Sequence, residues 1–240
     1  MTAAGGIRAR NRAAIEAEIL RIGQQHLATY GAAGLSLRAV ARDLEMASSA
    51  VYRYVASRDE LLTRLIVAAY DALGDHVDAA LATLPRRSTP ARRFRAIAAA
   101  TRGWALANPH EYALIYGSPV PGYHAPAERT GPAGTRVQAR LVALVPDLSD
   151  GRPETARERR ALGDLPETIQ AELHLSSAGD QPIDAGTLRR AMTAWALVTG
   201  TVSAEVFEQF GADTIPDWPA FFDAAVDDAL ALVTGEPARG

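Results

Sequence analysis

A chain of 240 residues, 48% of them hydrophobic and 22% charged, carries enough apolar surface for a substantial packed core, while the lack of any cysteine excludes a disulfide scaffold and a thiolate metal centre. No apolar run approaches the roughly 20 residues that span a bilayer, and no signal-peptide core follows Arg8, Arg10 and Arg12, so a cytoplasmic protein is expected. The net charge of −3 hides an asymmetry, because residues 1–58 hold eight arginines against four carboxylates (+4) and leave −7 for the rest, the pattern of a basic head that meets a polyanion and a body that does not.

In chain order, residues 9–29 place Ile15, Ile19, Ile22 and Leu27 close to one helix face, and Gly31 stops the run. A turn over 30–35 leads to Ser36, a good N-cap, and predicts a second helix over 37–44. Ser48 or Ser49 suits the cap of a third short helix ending near Val55. Ser57-Arg58-Asp59-Glu60 reads as a capping box in which Ser57 and Glu60 satisfy each other's free backbone donors, opening a fourth helix that runs to Leu84 and breaks at Pro85. Helices are further predicted over 90–107, 110–116 and 135–145, with a Pro- and Gly-rich loop over 117–126. Residues 146–184 are polar and proline-interrupted, a loop with one short helix around 166–175, and two longer helices, 185–210 and 217–234, follow on either side of Gly211 and Pro216. No stretch shows a period-two strand pattern, so the expected fold class is all-α.

The segment from Leu35 to Leu62 carries the functional signal. Two short helices flank a tight turn at Glu45 to Ala47, the arrangement of a helix-turn-helix. Val40, Leu44, Met46 and Val51 are expected to pack the pair together, which turns Ser48, Ser49, Ala50, Arg53 and Tyr54 outward on a helix narrow enough for a major groove.

Over about residues 10–65 this segment resembles the DNA-binding domain of the TetR family, through its Val51-Tyr52-Arg53-Tyr54 core and the following Ser57-Arg58-Asp59-Glu60-Leu61-Leu62. The sequence departs from the family at Glu45, where glycine is usual in the turn. The resemblance implies that Tyr52 bonds a phosphate and that Arg58 does the same at a helix N-terminus. It also implies backbone contacts from Ser36 and Arg38, with Arg38 able to reach a guanine edge. Ser48, Ser49, Ala50, Arg53 and Tyr54 then form the reading face, with Arg53 the base-specific donor. Arg8, Arg10 and Arg12 are expected to add contacts from a flexible arm.

The stretch from Trp104 to His124 resembles the C-terminal domain, of the WHG type, found in TetR-like proteins. Trp104, His110, Tyr112, Tyr116, Tyr123 and His124 either line a small-molecule pocket, with polar tips on apolar walls, or belong to the core. His110 and His124 have no third partner at metal-ligand spacing, and no Ser-His-Asp or phosphate-loop pattern occurs, so neither metal, cofactor nor catalysis is expected. The last two helices present Trp195, Val198, Val202, Val206, Phe222 and Val226. These side chains either close the core or, as the resemblance favours, form a four-helix homodimer interface.

The expected organisation is a helix-turn-helix DNA-binding domain over 1–58 and a regulatory and dimerisation domain over 59–240. The expected function is regulation of transcription by a dimer on double-stranded operator DNA, released by a small, mostly apolar effector. The rival from another class is a helical small-molecule-binding or catalytic protein whose basic head is incidental; salt-dependent retardation of duplex DNA separates the two.

Overall fold

The computed structural model describes residues 3–149, 155, 156, 160 and 185–235, with side chains from residue 9 onward. Among the described residues every regular element is a helix. They are α1 (Ala3–Tyr30), α2 (Leu37–Asp43), α3 (Ser48–Val51), α4 (Arg58–Ala82), α5 (Pro90–Ala107) and α6 (Pro109–Tyr116). Then follow α7 (Ala127–Gly134), α8 (Arg136–Val142), α9 (Val145–Ser149), α10 (Ala185–Val206) and α11 (Trp218–Thr234). Among the described residues no helix is long and apolar enough to cross a membrane.

Several boundaries differ from the expected ones for identifiable reasons. The N-terminal arm is helical, because α1 begins at Ala3 rather than near residue 9. Capping at α2 and α3 is also different: Ser36 has the extended backbone of an N-cap but makes no side-chain capping bond, and Ala47 rather than a serine caps α3. The predicted helix over 135–145 is two short ones, with Pro146 accommodated in the first turn of α9, where no intrahelical donor is needed. α7 was not legible as a helix, since Pro132 lies inside it. The short helix expected around 166–175 lies outside the described residues. α10 stops at Val206, where Gln209 N–H donates to the Ala204 carbonyl and Glu208 takes a left-handed φ of 49°, a Schellman stop ahead of Gly211.

The chain divides into two compact units, residues 1–72 with 108–134, and residues 73–107 with 135–240. The division does not follow the expected boundary at residue 58. α4 begins in the first unit and ends in the second, and the α6–α7 segment belongs with the head.

The first unit is built around Ile19, Ile22, Leu35, Leu37, Val40, Val51, Val55, Leu61, Leu62 and Leu65, all buried. Each such side chain contributes roughly 1.5–3 kcal/mol relative to exposure. Leu114, Val120 and Tyr123 pack against this cluster from the α6–α7 segment, which explains why that segment folds with the head. A Cβ added at Gly23 on α1 would sit 3.4 Å from the side chains of Leu61 and Leu65 on α4, so glycine leaves those leucines room there.

In the second unit α10 packs most extensively on α11 and also meets α5, α8 and α9. Phe94, Ile97, Leu141, Val145, Val198, Val202, Phe222 and Val226 fill the space between them. Charged ties fasten the rim: Arg102 holds Glu205 with Nε–Oε2 at 2.6 Å, and Arg136 and Arg140 converge on Asp78 at 2.7 and 2.9 Å.

Among the described residues four carboxylates are held below their ordinary range, one of them Glu18 through its bond from Arg21. The bond from Arg140, then that from Arg136, lowers Asp78; Arg129, then Arg64, lowers Glu60; and His26, then Arg42, lowers Asp43, each against a smaller opposing effect of burial. A depressed folded-state pKa stabilises the protein fully above the unfolded value, near pH 4, and that contribution disappears as pH falls through the folded value. Stability measured by denaturant titration should therefore fall as pH drops below about 4, and Asp78→Asn should flatten that dependence. An equally steep dependence in Asp78→Asn would remove Asp78 from this account.

Candidate nucleic-acid interface

The helix-turn-helix is set by its turn. At the end of α2, Glu45 N–H donates to the Arg42 carbonyl at 3.0 Å and Met46 N–H to the Ala41 carbonyl at 2.9 Å, a complete Schellman motif. The motif needs a left-handed residue at Glu45, whose φ is 55°. A glycine would adopt that conformation freely, whereas glutamate takes it at a cost of about 1 kcal/mol. The non-glycine turn is thus real, and its geometry is regular.

α3 is a single turn, extended by Tyr52 N–H to Ser48, Tyr54 N–H to Val51 and Val55 N–H to Val51. Val51 and Val55 are buried and fix which way it faces. As a result Ser48, Ser49 and Arg53 are exposed, Tyr52 is 48% exposed, and Ala50 is half-buried. Arg38 on α2 is exposed and Ser36 at its N-cap half-exposed, so in chain order Ser36, Arg38, Ser48, Ser49, Tyr52 and Arg53 make a row of open or partly open polar positions along α2, α3 and their ends.

Three expected DNA contacts are otherwise engaged. Arg58 turns inward: its Nε donates to the Leu35 carbonyl at 3.0 Å and one Nη to the carbonyls of Ala32 and Ala33 at 2.8 and 3.3 Å. These donors close the exit of α1 and the entry to α2, which removes them from phosphate binding. Tyr54 is half-buried against the core with the Arg12 guanidinium 5.3 Å from its ring centroid. Arg12 also donates to the Arg53 carbonyl and pairs with Glu16 at 2.9 Å, so it ties α1 to α3 rather than belonging to a loose arm. Behind the row, buried His26 on α1 meets Asp43 of α2 with Nε2–Oδ2 at 2.6 Å, a part-buried link between the two helices.

The residues expected to bind a small molecule belong to different compact units. Trp104 lies in the second unit and is buried at 5% exposure; Tyr112 lies in the first and is fully buried at 0%. Both are therefore packing residues in their own units, as is Tyr116, which packs against Tyr70 and Tyr112 with ring centroids 6.2 and 5.0 Å apart. Burial pushes the Tyr116 phenol far above the ordinary tyrosine range. Two clefts open in the first unit beside α6. One, of about 320 Å³, is lined by Leu27, Ala32, His110, Leu114 and Pro121 among others. The second, of about 260 Å³, is lined by Ile66, Tyr70, Ile115, Tyr123 and Thr130 among others. Leu114 and the Ser118–Val120 strip contribute to both, while exposed His124 lines neither.

The expected dimer residues fall on the wrong faces for contact with a partner. Trp195, Val198, Val202, Phe222 and Val226 are buried within the single chain, and Val206 is half-buried. The helix period that makes them apolar at regular spacing points them at α5, α8 and α9. Outward on α10 are Met192, Ala196 and Gly200, with exposed Phe207 just past its end, and outward on α11 is Phe221.

Residues 94–229 match the family model described as the tetracyclin repressor-like C-terminal domain. The chain is 44% identical over 235 residues to the HTH-type transcriptional regulator Rv1816 of Mycobacterium tuberculosis, covering 95% of this chain and 96% of that one. The same figures hold for the HTH-type transcriptional regulator Mb1846 of Mycobacterium bovis. Among solved structures, the regulatory protein SCO4313 superposes with a TM-score of 0.70 at 31% identity, over 93% of this chain and 98% of that one. A tetR family transcription regulator from Shewanella sp. PV-4 shares the fold with a TM-score of 0.55 at 16% identity, over 94% of this chain and 98% of its own. With the open row on α2 and α3 matched to a tetracyclin repressor-like body, the chain belongs to the TetR family of helix-turn-helix transcription regulators.

Proposed function

We propose that the protein is a repressor whose two heads, one from each subunit of a homodimer, bind a palindromic operator and are released by a small, mostly apolar effector. The observation that supports it best is the open row from Ser36 to Arg53, presented by a turn and a core that hold α2 and α3 rigidly. Tyr52 and Arg38 serve phosphates, which position the protein, and Arg53 reads a base edge. Selection of bound sequences from random duplex DNA tests this reading. Arg53→Ala is expected to change the selected sequence, while Tyr52→Phe weakens binding to all sequences about alike. Arg38→Ala should flatten the log-affinity against log-salt slope by about 0.9 for the one phosphate lost. An unchanged selected sequence in Arg53→Ala would take base reading away from Arg53.

The dimer surface we assign to the outward stripe of α10 and α11. Gly200 lies within α10 where an added Cβ would meet no atom within 4 Å, so no packing among the described residues calls for glycine there, although glycine weakens a helix by about 1 kcal/mol. Close approach of a second subunit supplies a reason. The effector we assign to the clefts beside α6: the first is mainly apolar, the second carries the hydroxyls of Tyr70, Ser118, Tyr123 and Thr130, and the absence of Asp, Glu, Lys and Arg from both linings suits an uncharged molecule better than a charged metabolite.

A further inference from the structure

Glu60 does not do what its place in a capping box predicts. Ser57 Oγ accepts the Glu60 N–H at 3.0 Å, which is half of the box. The Glu60 carboxylate turns instead to two arginines. Arg64, one turn along α4, donates Nε to Glu60 Oε1 at 2.7 Å, and Arg129, on α7, holds the same carboxylate through both terminal nitrogens. Arg64 has a second engagement, since its Nη2 donates to the Tyr54 carbonyl at 3.0 Å, where the α3 turn ends.

A neighbouring tie runs beside this one. Thr63 has one hydroxyl proton and gives it to the Asp59 carbonyl at 2.9 Å. The 2.8 Å contact between Thr63 Oγ1 and the Tyr123 phenol is therefore donated by Tyr123. Two side chains of the α6–α7 segment, Tyr123 and Arg129, thus grip adjacent positions on the first turns of α4. Only one of them, Arg129, continues through a shared carboxylate to the backbone of the DNA-facing turn.

We infer that Glu60 is a positioning residue for DNA reading, and that Arg129 sets the position of α3 through the path Arg129–Glu60–Arg64–Tyr54 carbonyl. A planar guanidinium is required at Arg64, because one nitrogen holds the carboxylate while another holds the carbonyl; a lysine has a single ammonium and cannot span both with that geometry. At Arg129, which meets only the carboxylate, a lysine keeps the charge and serves. The orientation of α3 matters for base edges and much less for phosphates, so the path governs discrimination between duplexes rather than general adhesion.

The experiment measures affinity of the full-length protein for the duplex that the native chain selects from a random pool, and for a scrambled duplex of equal length. Arg129→Gln and Glu60→Gln should each weaken the selected duplex by about 2- to 30-fold and leave the scrambled one within about twofold. The two changes alter net charge in opposite directions, so a long-range electrostatic effect would move them oppositely. Arg129→Lys should restore discrimination, Arg64→Lys should not, and Arg129→Gln with Glu60→Gln should lose no more than Glu60→Gln alone. Helical circular dichroism and the thermal midpoint, followed for each variant, report whether the head remains folded. The inference is overturned if Arg129→Gln binds both duplexes like the native protein, if the two losses multiply, or if both duplexes weaken equally in a folded variant.

Discussion

Val202→Arg is expected to abolish folding of the second unit rather than to yield a folded monomer. Val202 is 0% exposed in the single chain, on the face of α10 that meets the other helices of that unit. Among the described residues no acid is buried to pair with an arginine there. An uncompensated buried charge costs several kcal/mol, a large part of the 5–15 kcal/mol that typically holds a domain together. Circular dichroism should show loss of helix, and sedimentation should show aggregated or unfolded chain. Met192→Glu lies on the same helix but outward, at 54% exposure, and is expected to stay helical while dissociating the dimer. A folded, monomeric Val202→Arg would instead place Val202 at the subunit contact.

Arg58→Ala is expected to destabilise the head by about 1.5–3 kcal/mol, the range for hydrogen bonds made by a charged group. The carbonyls of Ala33 and Leu35 lose the Arg58 donor where α1 gives way to α2, and that of Ala32 is left with only the 3.4 Å bond from Leu35 N–H. Operator affinity should fall because α2 is less well placed, yet the salt dependence should keep its slope. A phosphate ligand behaves differently: its removal flattens the slope by about 0.9 and leaves thermal stability nearly unchanged. Arg58→Lys should not rescue stability, since an ammonium cannot reach several carbonyls arranged for a planar fork. A flattened slope with an unshifted thermal midpoint would return Arg58 to the phosphate contacts.

The helix-turn-helix was the most legible part of the chain because its signals are local. Val40, Val51 and Val55 reveal the buried side within one or two turns, and Glu45, for all its departure from glycine, sits where the α2 stop requires a left-handed residue. The longer helices were legible as helices for the same reason. Their faces were less so. A regular apolar stripe such as Trp195, Val198 and Val202 states that one side is hidden, and the period is the same whether the cover is α5, α8 and α9 of the same chain or a second subunit. Likewise Trp104 and Tyr112, eight residues apart, read as one cluster, whereas they are buried in different compact units.

The sequence alone determined the all-helical class and the helix-turn-helix, because short-range periodicity and turn residues act over a few residues, while Arg38 and Tyr52 were marked for DNA by the family resemblance. Only the tertiary structure decided what the arginines do. Arg53 stays open while Arg58, five residues on, is drawn to carbonyls, and Arg64 and Arg129 meet at Glu60 from positions 65 residues apart in the chain. A guanidinium can donate to a phosphate, a carboxylate or a carbonyl. Which one it takes depends on the acceptors that folding brings within about 3 Å, and those come from distant parts of the chain.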